Sequence, residues 1–318
     1  MRCLCCGKEI KNPTQAELNS SWHHACVKNF FGIDTLPEID LSDLSLTNIV
    51  NENIKNGYTI TGVQKKLSLH LSTLPTPRLT IVDYPIGYIL KPQTKEYANL
   101  PEYEYLTMQM AKSVGINTVP FALIKSIDNE YAYITKRIDR VQKDKNTLVK
   151  YAMEDFCQLA ERLTQDKYKG SYESCGKIIK DYSDKRNLDL VEMYLRIVFS
   201  FVVGNSDMHL KNFSLINTDG QYKLSPAYDM LPVNVILPED KEQMALTLHA
   251  KKSNIKKKEF ILFAESIGIS ERVANNLISS VIKKKDLLLE SCKSSLLNDN
   301  QIKAFMELIN ARCSILQS

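Results

Sequence analysis

Residues 204–212 read Gly204-Asn205-Ser206-Asp207-Met208-His209-Leu210-Lys211-Asn212, directly after an apolar segment with helical periodicity. Within six positions this turn carries an aspartate, a histidine, a lysine and an asparagine. A turn that only ends a buried helix is often rich in Asn and Asp, but it rarely needs all four of these side chains. The pattern therefore indicates a site of chemistry at this turn.

Two residues of the turn have the spacing of a protein-kinase catalytic loop. Asp207 precedes Asn212 by five positions, as the base of such a loop precedes its magnesium-binding asparagine. Asp207 is predicted to accept or orient a substrate hydroxyl, and Asn212 is predicted to hold magnesium. Lys211 lies between them, where its charge would neutralise charge building on the transferred group. We include His209, from the same turn, in this catalytic set.

Two further positions supply remaining parts of phosphoryl transfer in the expected order along the chain. Asp229 comes seventeen residues after Asn212 and suits a second magnesium ligand, although the Phe-Gly pair that usually follows such an aspartate is missing. Lys91 ends a short apolar strand, where a lysine is usually only solvated. The helix that follows carries Glu102 and Glu104, and one of them is expected to form the ion pair between strand lysine and helix glutamate that kinases need.

The predicted elements are strands at the front of the chain and helices at the back. Strands are expected over residues 66–71, 78–82, 87–90, 118–125 and 131–136, with short helices over 41–56 and a longer helix over 99–115. Helices follow over residues 154–163, 188–203, 258–267, 271–284 and 301–316. This order predicts an α+β, protein-kinase-like two-lobe fold. Its parts are a Cys/His-rich segment over 1–45, a strand-rich N-lobe over 46–140 and a helical C-lobe over 141–318.

The bulk composition argues against several classes of protein. The chain has 318 residues, of which 44% are hydrophobic and 25% charged, and this is ordinary for a soluble globular protein. It shows neither a bilayer-spanning apolar stretch nor a signal peptide, so a cytoplasmic protein without a membrane partner is expected. The 41 basic and 37 acidic residues leave a net charge of +4, which argues against a nucleic-acid-binding protein built around a zinc knuckle.

Four of the eight cysteines lie in the first 26 residues, where two knuckle-like pairs suit tetrahedral zinc. The predicted ligands are Cys3, Cys6, His23 and Cys26. Cys5 and His24 compete with them, and the alternative is a reduced, metal-free cluster packed under Trp22 and residues 30–31. A zinc ion here would be structural, because so small a segment buries too little apolar surface to fold unaided.

These residues resemble the HipA-like serine/threonine kinase toxins. The matching stretches are residues 61–69, 89–92, 102–106, 136–140, 154–158, 204–214 and 226–229. They follow one another in the family's order, and the pattern Gly-Asn-x-Asp-x-His-x-Lys-Asn-Phe-Ser is very specific to the family. The resemblance covers residues 58–232, and the helical tail fits by layout only.

The resemblance implies a kinase-like fold that uses ATP and Mg²⁺. Asp207 resembles the catalytic aspartate, while Asn212 and Asp229 resemble the magnesium ligands. Lys91 resembles the phosphate-contacting lysine, and the match favours Glu104 as its partner.

The resemblance also implies two contacts with the nucleotide. The expected nucleotide-binding residues are Lys136, Ile138 and Asp139 in the hinge for adenine and ribose, and Thr61, Gly62 and Gln64 in the loop over ATP. Lys136 stands where the family frequently has glutamate. Family members autophosphorylate in the covering loop, and the matching hydroxyls are those of Thr59 and Thr61. Phosphorylation there is expected to eject the loop and stop ATP binding.

Partners and substrate follow from the family as well. Only 57 residues precede the covering loop, so the chain resembles the short form, HipT, whose missing N-terminal subdomain is a separate small protein. The implied partners are that HipS-like protein and a HipB-like helix-turn-helix antitoxin, through which DNA is reached indirectly. The implied substrate is an aminoacyl-tRNA synthetase, whose phosphorylation inhibits translation.

A non-catalytic regulatory module that binds nucleotide or a partner is the alternative. The covering loop has a single glycine, Gly62, and the missing Phe-Gly pair also favours this alternative. The joint presence of Lys91, Asp207, Asn212 and Asp229 favours the active kinase, because a drifting sequence tends to lose at least one of them.

Overall fold

The computed structural model describes residues 1–39, 66–72, 76–80, 87–126, 130–142 and 148–318. The chain divides into two compact units. The first comprises Met1–Tyr105 and Val119–Val149, and the second comprises Leu106–Thr118 and Lys150–Ser318. The short helices expected over 41–56 and the ATP-covering loop with Thr59, Thr61, Gly62 and Gln64 lie outside the described residues.

The first unit is built on a five-stranded antiparallel sheet. Its strands are β1 (Leu67–Ser72), β2 (Arg78–Thr80), β3 (Tyr88–Pro92), β4 (Phe121–Lys125) and β5 (Tyr131–Lys136), in the order β2-β1-β3-β5-β4. The register places Lys91 opposite Tyr133 on neighbouring strands. Strand β4 is almost wholly buried although it lies at the sheet's edge, and this requires cover from other elements. A separate two-stranded sheet pairs β6 (Arg140–Gln142) with β7 (Leu148–Lys150).

Two short helices in the first 31 residues pack an aromatic cluster onto this sheet. Helix α1 (Gln15–Ser20) begins at a capping box formed by Thr14 and Glu17, and α2 (His24–Phe31) ends at the left-handed Gly32. Trp22 is fully buried, and its ring centroid lies 5.6 Å from the ring centroids of both phenylalanines of α2. The predicted helix over 99–115 is α3 (Leu100–Val114).

The second unit combines helices with a three-stranded sheet. Its helices are α4 (Phe156–Leu159), α5 (Tyr172–Tyr182), α6 (Arg186–Val203), α7 (Val233–Ile236), α8 (Lys257–Ser266), α9 (Glu271–Ile282), α10 (Lys285–Lys293) and α11 (Asp299–Gln317). Strands β8 (Met153–Asp155), β9 (Ser214–Thr218) and β10 (Gln221–Leu224) form the sheet in the order β10-β9-β8. Helix α6 is central, with 13 of its 18 residues buried. Among the described residues, we find no helix with the length and apolar character needed to cross a membrane.

The helix predicted over 154–163 is wrong. Residues Met153–Asp155 pair with β9 instead, and only the single turn Phe156–Leu159 is helical. Asp155 accepts a hydrogen bond from the backbone amide of Gln158 and so caps the short helix at its start. Glu161 then adopts a left-handed backbone with φ of 53°, which ends any helical continuation.

The other helices predicted for the C-terminal part of the chain are present, but the structure contains further helices and strands there that were not predicted. Helices α6, α8, α9 and α11 lie within about two residues of their predicted limits. The sequence reading missed α5, α10 and the whole three-stranded sheet. The sheet was missed because its strands are only three to five residues long, too short to show an alternating pattern.

Candidate active site

The turn after α6 begins at a glycine that no other residue can replace easily. Gly204 has φ of +71°, a conformation that L side chains rarely adopt. A Cβ atom added there would lie 2.6 Å from Cδ2 of Leu308 and 3.2 Å from Cβ of Asn234. The amide of Asn234 also donates to the carbonyl of Gly204 at 2.9 Å. These contacts therefore fix the position of the turn at the end of helix α6.

Hydrogen bonds inside the turn hold Asp207 and Asn212 together. The side-chain amide of Asn212 donates to the backbone carbonyl of Asp207 at 2.8 Å, and Asn212 is only 3% exposed. Because its nitrogen makes this bond, its oxygen remains as the atom suited to a hard cation such as Mg²⁺. The carboxylate of Asp207 is 43% exposed, so a substrate hydroxyl has access to it.

Tyr168 makes a side-chain hydrogen bond to Asp207 that no motif in the sequence predicts. The hydroxyl of Tyr168 donates to Oδ1 of Asp207 at 2.5 Å across a separation of 39 residues. Burial raises the pKa of Tyr168 most, and the hydrogen bond to Asp207 raises it further. The phenol therefore stays protonated and acts as a donor that fixes one carboxylate oxygen.

His209 lies beside this pair as a neutral ring. Its Nε2 is 4.0 Å from Oδ1 of Asp207, and its ring packs edge-on against Tyr168 with centroids 5.0 Å apart. The side chain is almost fully buried, and this burial lowers the pKa of His209 although the charge of Asp207 opposes the shift. The lowered pKa favours the neutral form of the ring, which packs beside Asp207 and Tyr168.

Lys211 is held by a carboxylate outside the turn. Its Nζ lies 2.6 Å from Oδ2 of Asp155, the residue that also caps α4. The carbonyl of Lys211 accepts a hydrogen bond from the hydroxyl of Tyr228 at 3.1 Å. The side chain of Lys211 is 28% exposed, so it is partly accessible to solvent.

Asp229 follows Tyr228 in a strained backbone conformation, with φ of +59°. Such a conformation is uncommon for a residue other than glycine and is concentrated at functional sites. The charge of Asp229 contributes to raising the pKa of Tyr168, as does the charge of Asp207. Both carboxylates therefore act on the same phenol within the second unit.

The first unit holds the lysine predicted to contact phosphates. Lys91 is buried, and its Nζ lies 2.5 Å from Oε1 of the fully buried Glu104. The same Nζ lies 5.3 Å from the centroid of the Tyr133 ring. Glu102, the alternative partner, instead accepts a hydrogen bond from Asn99. The ion pair thus joins strand β3 to the first turns of α3.

The predicted hinge residues lie at the end of β5, where Lys136 is the last residue of the strand and Ile138 and Asp139 come shortly after it. Arg137 makes a bidentate contact with Asp139 at 2.9 and 2.8 Å, and Arg140 approaches the same carboxylate at 3.4 Å. Burial alone would raise the pKa of Asp139, but these arginines outweigh it and lower the pKa. Lys136 is exposed, whereas Ile138 is half-buried.

The four predicted zinc ligands converge in the first unit. Their donor atoms, from Cys3, Cys6, His23 and Cys26, all lie within 4.8 Å of one another. His24 instead lies 3.6 Å from Asp34, so its ring is directed elsewhere.

The profile of the HipA-like C-terminal domain family matches residues 58–286, which is most of the chain and includes the turn after α6. The chain belongs to this family. The matched range holds every predicted nucleotide, magnesium and catalytic residue, whereas the Cys/His cluster precedes it.

Known proteins similar to this HipA-like chain include kinases. A putative kinase of Haemophilus influenzae is 24% identical over 287 residues, which cover 82% of each chain. The serine/threonine-protein kinase toxin HipA of Shewanella oneidensis is 22% identical over 249 residues, covering 72% of this chain and 55% of HipA. The chain therefore spans little more than half the length of that toxin.

Solved structures confirm the fold class. HipA of Shewanella oneidensis, determined with HipB and its operator DNA, matches with a TM-score of 0.67 and 17% identity over 83% of this chain and 69% of that one. The Helicobacter pylori proinflammatory kinase CtkA matches with a TM-score of 0.57 and 13% identity over 81% of this chain and 92% of that one. The predicted α+β, kinase-like fold is thus correct.

Proposed function

We propose that this HipA-like protein is an ATP-dependent serine/threonine protein kinase. The observation that carries the proposal is the pairing of an exposed Asp207 carboxylate with a buried Asn212 whose amide nitrogen is already used. One group is available to a substrate hydroxyl, and the other offers a fixed oxygen to a metal ion. A turn with both properties suits phosphoryl transfer, in which positioning and charge stabilisation supply most of the catalysis.

Each residue has a distinct part in the proposed reaction. The substrate hydroxyl loses its proton to Asp207 as its oxygen bonds to the γ-phosphorus of ATP, and ADP leaves with the electron pair of the broken P–O bond. The oxygens of Asn212 and Asp229 would hold Mg²⁺, which would supply positive charge to neutralise the phosphates. Lys91 contacts the phosphates and is kept in place by Glu104.

Lys211 has a shared part in this scheme. The carboxylate of Asp155 forms an ion pair with the ammonium group of Lys211 and so restricts the conformations of the lysine side chain. We infer that Lys211 adds positive charge near the transferred phosphoryl group and that Asp155 holds it there. His209 remains in the proposed catalytic set, and its ring packs beside Asp207.

The proposed substrate is an aminoacyl-tRNA synthetase, whose phosphorylation inhibits translation. The similarity to a kinase toxin named HipA supports the toxin role. The HipA neighbour determined with HipB and operator DNA supports a helix-turn-helix antitoxin as one partner, with DNA reached only through it. A small HipS-like protein is the second proposed partner. Lys136, Ile138 and Asp139 are proposed for nucleotide binding, together with the covering loop, in which Thr59 or Thr61 is proposed as the autophosphorylated residue.

Expression in a bacterial host tests this function. Wild type is expected to arrest growth and to phosphorylate a synthetase in an ATP-dependent reaction, and Asp207→Gln is expected to do neither. Growth arrest by a folded Asp207→Gln protein would rule out the kinase as the cause. ATP binding without phosphate transfer by wild type would instead favour the non-catalytic module.

A further inference from the structure

The Cys/His cluster of the first unit has the dimensions of an occupied tetrahedral metal site. Nδ1 of His23 lies 3.5 Å from Sγ of Cys6 and 3.9 Å from Sγ of Cys26. Ligands bonded to zinc at about 2.3 Å for sulfur and about 2.0 Å for nitrogen are about 3.5 Å apart when the angle between them is tetrahedral. The observed separations are close to this edge length.

The surroundings of the cluster prepare its atoms to bind a cation. Nε2 of His23 lies 3.3 Å from the carbonyl oxygen of Glu9, which favours a proton on Nε2 and leaves the Nδ1 lone pair directed at the sulfurs. The sulfur of Cys3 accepts a hydrogen bond from the backbone amide of His23 at 3.3 Å, which fixes the position of this sulfur relative to the imidazole.

The geometry points to a structural zinc site formed by Cys3, Cys6, His23 and Cys26. Four protein ligands close the coordination shell and leave no position for a water nucleophile, so the ion stabilises the fold and takes no part in catalysis. Binding releases three thiol protons to solvent, and three thiolates with one neutral imidazole leave the site with a net charge of −1. The eight cysteines are all present as free thiols, so no disulfide competes for these sulfurs.

The proposed ion stabilises the N-terminal segment where it covers β4, the edge strand of the sheet. The carbonyl of Leu4, next to Cys3, accepts a hydrogen bond from the amide of Leu123 on β4 at 2.9 Å. The indole of Trp22, next to His23, donates to the carbonyl of Leu123 at 3.1 Å. Both backbone groups of an edge-strand residue are thus satisfied by residues adjacent to ligands, which protects the edge from pairing with other chains.

A third contact carries the effect of the ion to helix α3. The hydroxyl of Tyr105 donates to the carbonyl of Cys3 at 3.2 Å, and Tyr105 directly follows the buried Glu104. A loss of the ion is therefore expected to loosen both β4 and the beginning of α3.

Metal content of the full-length protein, purified without a histidine tag, tests the proposal. We expect one zinc per chain by elemental mass spectrometry in wild type, loss of that zinc in Cys6→Ser and in Cys26→Ser, and retention in the matched control Cys5→Ser. Co²⁺ added to metal-free wild type is expected to show the visible absorption of tetrahedral cobalt with a thiolate charge-transfer band.

A thermal experiment on wild type keeps the proposal testable where a ligand variant does not fold. A chelator is expected to lower the melting temperature, and added zinc, but not added magnesium, is expected to restore it. Folded wild-type protein that binds neither zinc nor cobalt, or whose melting temperature does not respond to either treatment, overturns the proposal. Equal zinc in wild type, Cys6→Ser and Cys26→Ser overturns it as well.

Discussion

The buried pair of Lys91 and Glu104 makes a sharp prediction for the stability of the first unit. Substitution Lys91→Met removes the ammonium group and leaves the fully buried carboxylate of Glu104 without its 2.5 Å partner. Removing one member of a buried ion pair costs about 3–5 kcal/mol, because the remaining buried charge loses the attraction of its oppositely charged partner. Loss of the contact between Lys91 and the Tyr133 ring adds about 2 kcal/mol, the magnitude for a desolvated pair.

The double variant Lys91→Met/Glu104→Met separates the ion pair from the packing. It removes both charges together, and well-packed apolar residues often replace a buried ion pair at little cost. We therefore expect the double variant to recover most of the stability lost in Lys91→Met and to remain inactive as a kinase. The matched control is Lys177→Met, an exposed lysine of α5, with an expected change within about 0.5 kcal/mol.

The assay is urea unfolding followed by tryptophan fluorescence. Trp22 is the only tryptophan and is fully buried in the first unit, so its emission reports on that unit. A loss of less than about 1 kcal/mol in Lys91→Met would refute the reasoning, because that is the range of an exposed pair. A double variant as unstable as the sum of both single variants would equally refute it, because the two charges would then not be coupled.

Three further substitutions test other parts of the structure. Tyr168→Phe removes the hydrogen bond to Asp207 and frees the carboxylate to rotate, so we expect phosphate transfer to slow about tenfold while the melting temperature stays close to that of wild type. The control Tyr222→Phe, at an exposed tyrosine, should change neither the rate nor the melting temperature. A rate in Tyr168→Phe equal to that of wild type would count against the positioning role. Gly204→Ala should lower the free energy of unfolding by roughly 1–3 kcal/mol, and by more than Gly220→Ala does. Both glycines have positive φ, but of the two only Gly204 lies against neighbouring side chains. Equal decreases in the free energy of unfolding of the two variants, measured in urea, would contradict this. Asp139 has a lowered pKa, so its ionised form adds stability above its ordinary pKa of about 4, and that stability is lost as the pH falls below this value. The stability difference between wild type and Asp139→Asn should therefore shrink between pH 5 and pH 3, and a difference that does not change with pH would argue against the arginine contacts.

The catalytic turn is the part of the site that the sequence predicts best. Asp207 and Asn212 are five positions apart in one turn, so their spacing in the sequence is enough to predict that they lie close together. The sequence predicts that Lys91 pairs with Glu102 or Glu104. It does not decide between them, because it does not show which face of the helix is turned toward the strand. The structure pairs Lys91 with Glu104 and turns Glu102 toward Asn99.

The contacts that the sequence does not predict are long-range and lack a pattern. Tyr168 reaches Asp207 from a polar loop, and Asp155 reaches Lys211 from a three-residue strand. Neither residue has a spacing that relates it to its partner. The short strand β8 was mistaken for helix because the pairing with β9, a tertiary contact, overrides the weak local preference of three residues.

Intact mass of the protein after incubation with ATP and Mg²⁺, alone and with an added synthetase, is the most direct test of the kinase proposal. Wild type and the control Asp219→Asn, an exposed aspartate in the turn between β9 and β10, are expected to transfer phosphate. Asp207→Gln is expected to transfer none, and the mapped phosphate on the protein itself is expected on Thr59 or Thr61. Equal phosphate transfer by wild type and Asp207→Gln would contradict the assignment of Asp207, and no transfer by wild type to itself or to a synthetase would contradict the kinase.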